Sequence, residues 1–229
     1  MAENKKECDR CGTCCSKGGP ALHNEDFKLL KNRLVRPEHL ITIRKGEPVL
    51  ALFADTPAPA QSEIIKIKGR GSEWTCLFFA EPEAECTIYG LRPLECSILK
   101  CWDTADLENA AGKNLLSRYD ILTPQQEPIL GFIKKHDAEC PLENLTQLLS
   151  AISRKNSQQR ALNSLTEMVN NDLAIRSQAC AELNLSLDIE LFIFGRPLFT
   201  ILTQYGIKVH EQKGFYRLSI SRPLPQTLS

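Results

Sequence analysis

The sequence predicts an α+β protein, mainly helical with a small β-hairpin or sheet, built around a cysteine-ligated metal centre. Three observations predict it. Cys8, Cys11, Cys14 and Cys15 crowd into eight residues in a C-x2-C-x2-C-C run. Short β-rich segments bounded by glycine and proline lie between Val49 and Tyr89. Beyond Glu127 the apolar residues recur at helical spacing almost to Thr203.

Taken in order, residues 24–34 read as a helix, with Asn24 as its cap and Phe27, Leu29, Leu30 and Leu34 as its apolar face. After Pro37, residues 38–41 read as a further helical turn. Residues 49–53 and 64–68 read as strands, separated by a proline-containing loop at 56–61. Residues 74–79 and 86–89 read as two arms of one hairpin, 76–89, which brings Cys76 near Cys86. Arg92-Pro93 opens a helix expected to carry both Cys96 and Cys101, since proline is best tolerated at the first helical position. Residues 103–119 are predicted helical, weakened by Gly112. Helices follow at 127–137 and 142–152, with a break at Cys140-Pro141. The longest helix spans 157–184 on a stripe of Leu162, Leu165, Val169, Leu173, Cys180 and Leu183, interrupted by Arg176. Residues 185–203 continue as helices around Gly195-Arg196-Pro197. Residues 207–220 form a hairpin, and the tail after Pro223 is expected to be loose.

The organisation expected is a cysteine-cluster metal-binding domain over residues 1–150, with a C-terminal helical region, 151–229, packed on it. The two could equally be one domain.

Lysine plus arginine and aspartate plus glutamate number 28 each, so formal charge is zero. No basic excess marks a nucleic-acid or anionic-membrane partner. The opening residues 1–6 are polar, without the apolar core of a secretory signal. No apolar run is long enough to span a bilayer. The expected location is therefore the cytoplasm, with no membrane and no nucleic acid as partner. Ten cysteines in a reducing compartment read as metal-binding or catalytic rather than as disulfide staples.

Cys8, Cys11 and Cys14 are candidate ligands of one centre. A repeated C-x2-C step puts three thiolates on one short loop, with the fourth ligand of an iron–sulfur cluster supplied from elsewhere. Gly12 sits where that loop must turn sharply, in a conformation that favours positive φ. Adjacent side chains diverge, so Cys15 either serves a second centre or packs. Cys76, Cys86, Cys96 and Cys101 make a natural second set of four. Cys140, before a proline, is either a ninth ligand or a packed thiol. Cys180 belongs to the apolar stripe. His23 and His136 lie near Cys15 and Cys140 and could complete a mixed site, though a structural role suits each. Arg92 could pair with a carboxylate or donate to a sulfur. Trp74 and Trp102 flank cysteines and could shield the centre.

Eight thiolates allow two all-thiolate zinc ions, two clusters, or one 4Fe-4S cluster with structural thiols. Zinc knuckles normally come as two separated C-x2-C steps. Here two steps run in series, which is the iron–sulfur pattern, so a 4Fe-4S cluster is expected and zinc is the alternative.

The segment Cys86-Thr-Ile-Tyr-Gly-Leu-Arg-Pro-Leu-Glu-Cys96, with Cys101 close behind and C-x2-C-x2-C-C ahead, resembles the YkgJ-type cysteine-cluster family of zinc- or iron-chelating proteins. The resemblance covers roughly residues 8–141. Cys8, Cys11, Cys14 and Cys15 match its first block; Cys86, Ile88, Tyr89, Arg92, Pro93 and Cys96 match its second. Cys76 matches the hairpin cysteine before that block, and Cys101 the additional one. Ser97 stands where the family often carries arginine. Flagellin lysine methylases are similar in their cysteine cluster and are linked to an iron–sulfur centre.

The expected function is metal chelation for a structural, redox or metal-handling purpose, with metal ions as partners and a possible protein partner for metal or electron transfer. The alternative is a cluster-dependent enzyme, such as a protein methyltransferase or oxidoreductase. Against it, the sequence has no glycine-rich nucleotide loop, no H-E-x-x-H and no nucleophile elbow.

Overall fold

The computed structural model describes residue 8 and residues 10–50, 54–212 and 214–221. Two 3-10 turns, Cys15–Lys17 and Asn24–Asp26, lead into helix α1 (Phe27–Lys31). A third, Pro37–His39, leads into strand β1 (Leu40–Ile43). Six dipeptide strands and one longer strand follow: β2 (Pro48–Val49), β3 (Ala58–Pro59), β4 (Ile64–Ile67), β5 (Gly69–Arg70), β6 (Thr75–Cys76), β7 (Phe79–Ala80) and β8 (Glu85–Cys86). Helices α2 (Leu94–Ile98), α3 (Ala105–Ala110), α4 (Arg118–Ile121), α5 (Glu127–Glu139), α6 (Leu145–Ile152), α7 (Lys155–Leu183), α8 (Leu187–Phe194) and α9 (Leu198–Gln204) complete the helical half. Strands β9 (Ile207–Gln212) and β10 (Phe215–Ile220) close the described chain. Among the described residues every sheet is an antiparallel pair: β1 with β4, β2 with β3, β5 with β6, β7 with β8 and β9 with β10.

The class is thus α+β with small antiparallel sheets, as expected. Helices α5 to α9 and the terminal hairpin fall close to the predicted positions. The cysteine-bearing half differs in several places. The helical turn expected at 38–41 stops at His39, the end of the 3-10 turn: the β-branched run Ile-Thr-Ile prefers extended backbone, and Leu40, Ile41 and Thr42 are all buried in β1. Ala58–Pro59, inside the expected loop, pairs with β2, whose predicted continuation 51–53 lies outside the described residues. Residues 103–119 break into α3 and α4 because Gly112 and Asn114 both adopt positive φ (73° and 51°). Helix α2 ends at Ile98, so it carries Cys96 but not Cys101. The tail after Pro223 also lies outside the described residues.

Two apolar clusters form the interior. One joins Leu22, Leu40, Ile65 and Ile67 to Ile133, Ile175, Phe192, Ile193 and Phe194. The other joins α6, the first half of α7, α9 and the terminal hairpin through Leu149, Leu165, Leu202 and Ile207. Helix α7 contributes to both. Its buried face runs Ala161, Leu165, Val169, Asp172, Ile175, Arg176 and Ala179, so Arg176 lies on the buried face and Cys180 is only half-buried.

Asp172 and Arg176, one turn apart, tie the helical half together. Asp172 accepts from the backbone N–H of Leu198 at 2.9 Å, satisfying the start of α9. Arg176 donates to the carbonyls of Phe194, Gly195 and Arg196 at 3.1–3.2 Å, satisfying the end of α8, and to Glu190 at 3.0 Å.

Candidate metal centre

The N-terminal loop folds over strand β7. Gly12 has φ 75°, as its place between Cys11 and Cys14 predicts, and a Cβ there would collide with the ring of Phe79. Phe79 is itself buried and pairs across the ladder with Cys86. The loop tightens through Ser16 N–H to Gly12 O at 2.8 Å and Ser16 Oγ to Thr13 O at 3.0 Å. The turn that begins at Cys15 then packs on β6, which carries Cys76.

Cys76 and Cys86 come from two tandem hairpins rather than the single one expected. Cys76 faces Gly69 in the first ladder and Cys86 faces Phe79 in the second. Two turn residues with positive φ, Trp74 and Ala84, close these hairpins. The Thr87 N–H bonds back to Phe78 O at 2.8 Å.

Helix α2 places Cys96. Its first N–H, on Leu94, donates to Asp26 Oδ1 at 2.8 Å, and Asp26 Oδ2 accepts from the His23 N–H at 3.0 Å. Glu95 reaches the same segment, accepting from the Ala21 N–H at 2.8 Å, with His23 Nε2 3.4 Å away. His23 is therefore a buried structural residue, 1% exposed, and Asp26 and Glu95 are positioning residues that the sequence reading did not single out. Their partners lie some 70 residues away in the chain, which local spacing cannot reveal. Cys101 sits in the turn between α2 and α3, beside Trp102.

The result is one cavity of about 410 Å³. Cys8, Cys11, Cys14, Cys15, Cys76, Cys86, Cys96 and Cys101 all line it. The N-terminal loop, the tandem hairpins, α2 and the turn after it thus converge on one space. Arg92 and Trp102 are in its wall; Trp74 is not. The guanidinium carbons of Arg92 and Arg10 lie 3.9 Å and 4.5 Å from the centroid of the Tyr89 ring. Arg92 Nε is buried with no hydrogen-bond partner among the described residues. Ser97 Oγ returns to the carbonyls of Arg92 and Pro93, closing the start of α2.

Thiol chemistry varies around the cavity. Cys14 Sγ and Cys15 Sγ are 3.9 Å apart. The hydrogen bond from Cys15 brings the Cys14 thiol down to about 6, with Arg92 assisting, and the same bond together with burial raises Cys15. Burial raises Cys76 and Cys96, and neighbouring cysteines raise each further.

Cys140 stands outside this set. It is fully buried at the end of α5 and does not line the cavity; its thiol lies 3.6 Å from Met168 O, and burial pushes it up to about 12. It is accounted for by packing. His136, near it in sequence, is also fully buried: its Nε2–H donates to Asp172 at 2.6 Å, and Arg44 donates to its Nδ1 at 3.3 Å.

Among the described residues, no three histidine, cysteine, aspartate or glutamate side chains are spaced to hold a metal ion. The donor set nonetheless fits zinc or iron, because eight sulfurs share one space and thiolates select these metals over hard cations.

Comparison with known proteins agrees with this chemistry. The family model CxxCxxCC, described as “Putative zinc- or iron-chelating domain”, matches residues 7–118. That segment contains all eight cavity cysteines and excludes Cys140 and Cys180. No curated protein and no solved structure matches the chain. Among the described residues no helix is long and apolar enough to cross a membrane.

Proposed function

On the premise that residues 7–118 match the zinc- or iron-chelating CxxCxxCC family, we propose that this protein is a metal chelator whose thiolates hold a 4Fe-4S cluster. One observation carries the reading: eight of the ten cysteines, drawn from four separate chain segments, line a single cavity. Cys8, Cys11, Cys14, Cys15, Cys76, Cys86, Cys96 and Cys101 are the residues that would hold the metal. The serial C-x2-C steps favour iron–sulfur over separated zinc knuckles. When bound, such a cluster supplies one-electron chemistry and a strong cross-link between distant segments.

The protein's own residues prepare for that charge. Arg92 and Arg10 place two cations beside the thiols, and Arg92 Nε has a hydrogen bond to give. Hydrogen bonds of this kind to sulfur tune a centre's potential and steady its ligands. The exposed rim, including Cys8, Cys11 and Cys101, suits exchange of metal or electrons with a protein partner. A reducing compartment such as the cytoplasm keeps these thiols competent.

The test is anaerobic purification followed by absorbance and metal analysis. The reading expects a brown protein carrying iron and acid-labile sulfide. A colourless protein with stoichiometric zinc would retain chelation and reject the cluster.

A further inference from the structure

We propose that the cavity is also a binding site for a small organic acid, an apolar molecule whose carboxylate pairs with Lys66. The inference goes beyond metal chelation and stands whether or not the thiols hold metal.

Lys66 carries it. The residue lies in β4 between Ile65 and Ile67, which belong to the core cluster. Alternation along the strand turns Lys66 to the opposite face, where it lines the cavity. Its backbone is held on both sides, paired with Ile41 of β1 and bridged to Ala21. Its ammonium has no hydrogen-bond or ion-pair partner among the described residues. Glu95 is the one carboxylate in the described wall, and it is already engaged, accepting from the Ala21 N–H at 2.8 Å with His23 Nε2 3.4 Å away. Burial lowers the Lys66 pKa, and Glu95, the one charge acting on it, opposes the shift. A half-buried cation without a hydrogen-bonded partner costs free energy, which a bound anion would recover.

The rest of the cavity fits such a ligand. Arg10, Lys17, Lys66 and Arg92 line it against the single carboxylate of Glu95. Arg10 and Arg92 lie against Tyr89, and Arg92 acts on the Cys14 thiol, so their charge is spent beside the sulfurs. No thiol acts on Lys66, so the metal site does not account for its charge. Phe78, Phe79, Ile88, Leu99 and Leu107 supply an apolar wall. The volume of about 410 Å³ falls within the roughly 300–1,000 Å³ of small-molecule pockets, which combine apolar walls with a few polar groups. A phosphate would draw on backbone N–H groups at a helix start. The start of α2 instead gives its first N–H to Asp26, so a carboxylate is the better match.

The experiment is calorimetric titration of the full chain, kept reduced and free of oxygen, with benzoate, benzyl alcohol and phenyl phosphate as probes. Bound iron and zinc are measured on the same sample. Benzoate should bind saturably and roughly 10- to 100-fold more tightly than benzyl alcohol, the difference that a hydrogen bond to a charged group makes. Lys66→Met should abolish that difference and Lys66→Arg restore it. Lys45→Met, at an exposed position outside the cavity, should leave it unchanged. The comparison of probes on the natural chain needs no variant, so misfolding of a mutant does not obscure it. Benzyl alcohol binding as tightly as benzoate would overturn the inference. So would phenyl phosphate binding more tightly than benzoate, or an unchanged difference in folded Lys66→Met. A chain that holds metal but not benzoate would overturn this inference and leave chelation intact. One that binds benzoate without metal would support it and overturn chelation.

Discussion

A methyl group at position 12 would meet the Phe79 ring, and Phe79 faces Cys86 across its ladder. One glycine thus lets the N-terminal thiols lie over the hairpin thiols. Gly12→Ala is expected to lower the metal retained per chain severalfold, whereas Gly131→Ala, with open space around its Cβ in α5, should retain it. Metal content after desalting checks both. Asp26 acts at the same scale. Asp26→Ala leaves the N–H groups of Leu94 and His23 without their acceptor, and should cost about 1–3 kcal/mol. Denaturant unfolding of the metal-free chain measures it. The contrast between these residues shows what was legible. The thiols and Gly12 announce themselves by local spacing, and all eight cavity cysteines were expected as ligands. Asp26, Glu95 and Phe79 contribute through partners distant in sequence, so they look ordinary along the chain. Cys140 shows the converse: its Cys-Pro step left ligand and packed thiol both open along the chain, and its thiol lies outside the cavity, near Met168 O.

At the scale of elements, helix α7 shows where pattern reading misleads. The spacing of leucines found the helix and its length, but treated Arg176 as a flaw in the stripe. The buried face instead includes Asp172 and Arg176, because the ends of α8 and α9 bring backbone groups that need charged partners. Asp172→Asn removes the fully buried one of the two carboxylates paired with Arg176, leaving only the part-exposed Glu190, and should cost about 3–5 kcal/mol. A calorimetric melt should show a drop of roughly 6–20 °C.

Helix α5, packed against α7, carries a pH signature. Burial lowers His136 from its ordinary 6.5 to about 4, partly opposed by the hydrogen bond to Asp172. Arg44, which can only donate, fixes Nδ1 as an acceptor and so favours the neutral ring. Asp172, Arg44, Asp137, Arg176 and the Cys140 thiol are the charged or titratable groups around it. Between these values the unfolded chain binds a proton that the folded chain refuses. Stability should therefore fall as pH falls from 6.5 toward 4, and be unaffected by this group above 6.5. His136→Gln should flatten the melting temperature over that window. An unchanged slope would contradict the assignment.

Across the whole molecule, the thiol-lined part leans on the helical part. Leu22, Leu40 and Ile65 share a cluster with Phe192, Ile193 and Phe194, and Arg118 spans the two through Glu63 and the Ile193 carbonyl. The helical half was readable because long amphipathic segments repeat their signal over many turns. The cysteine half was not, because dipeptide strands and 3-10 turns carry too few residues to show a period. A fragment ending at residue 141 is expected to lack cooperative unfolding, since it exposes one face of that cluster. Circular dichroism against temperature would show it.

The central claim is that the eight cavity thiols take up metal. Its most direct measurement is iron, zinc and acid-labile sulfide content of the full chain purified without oxygen, taken together with a count of reactive thiols. The account predicts iron and sulfide in near-equal amounts, and most cavity cysteines blocked from thiol reagents until the metal is removed. A chain free of both iron and zinc, with all eight thiols reacting at once, would contradict it.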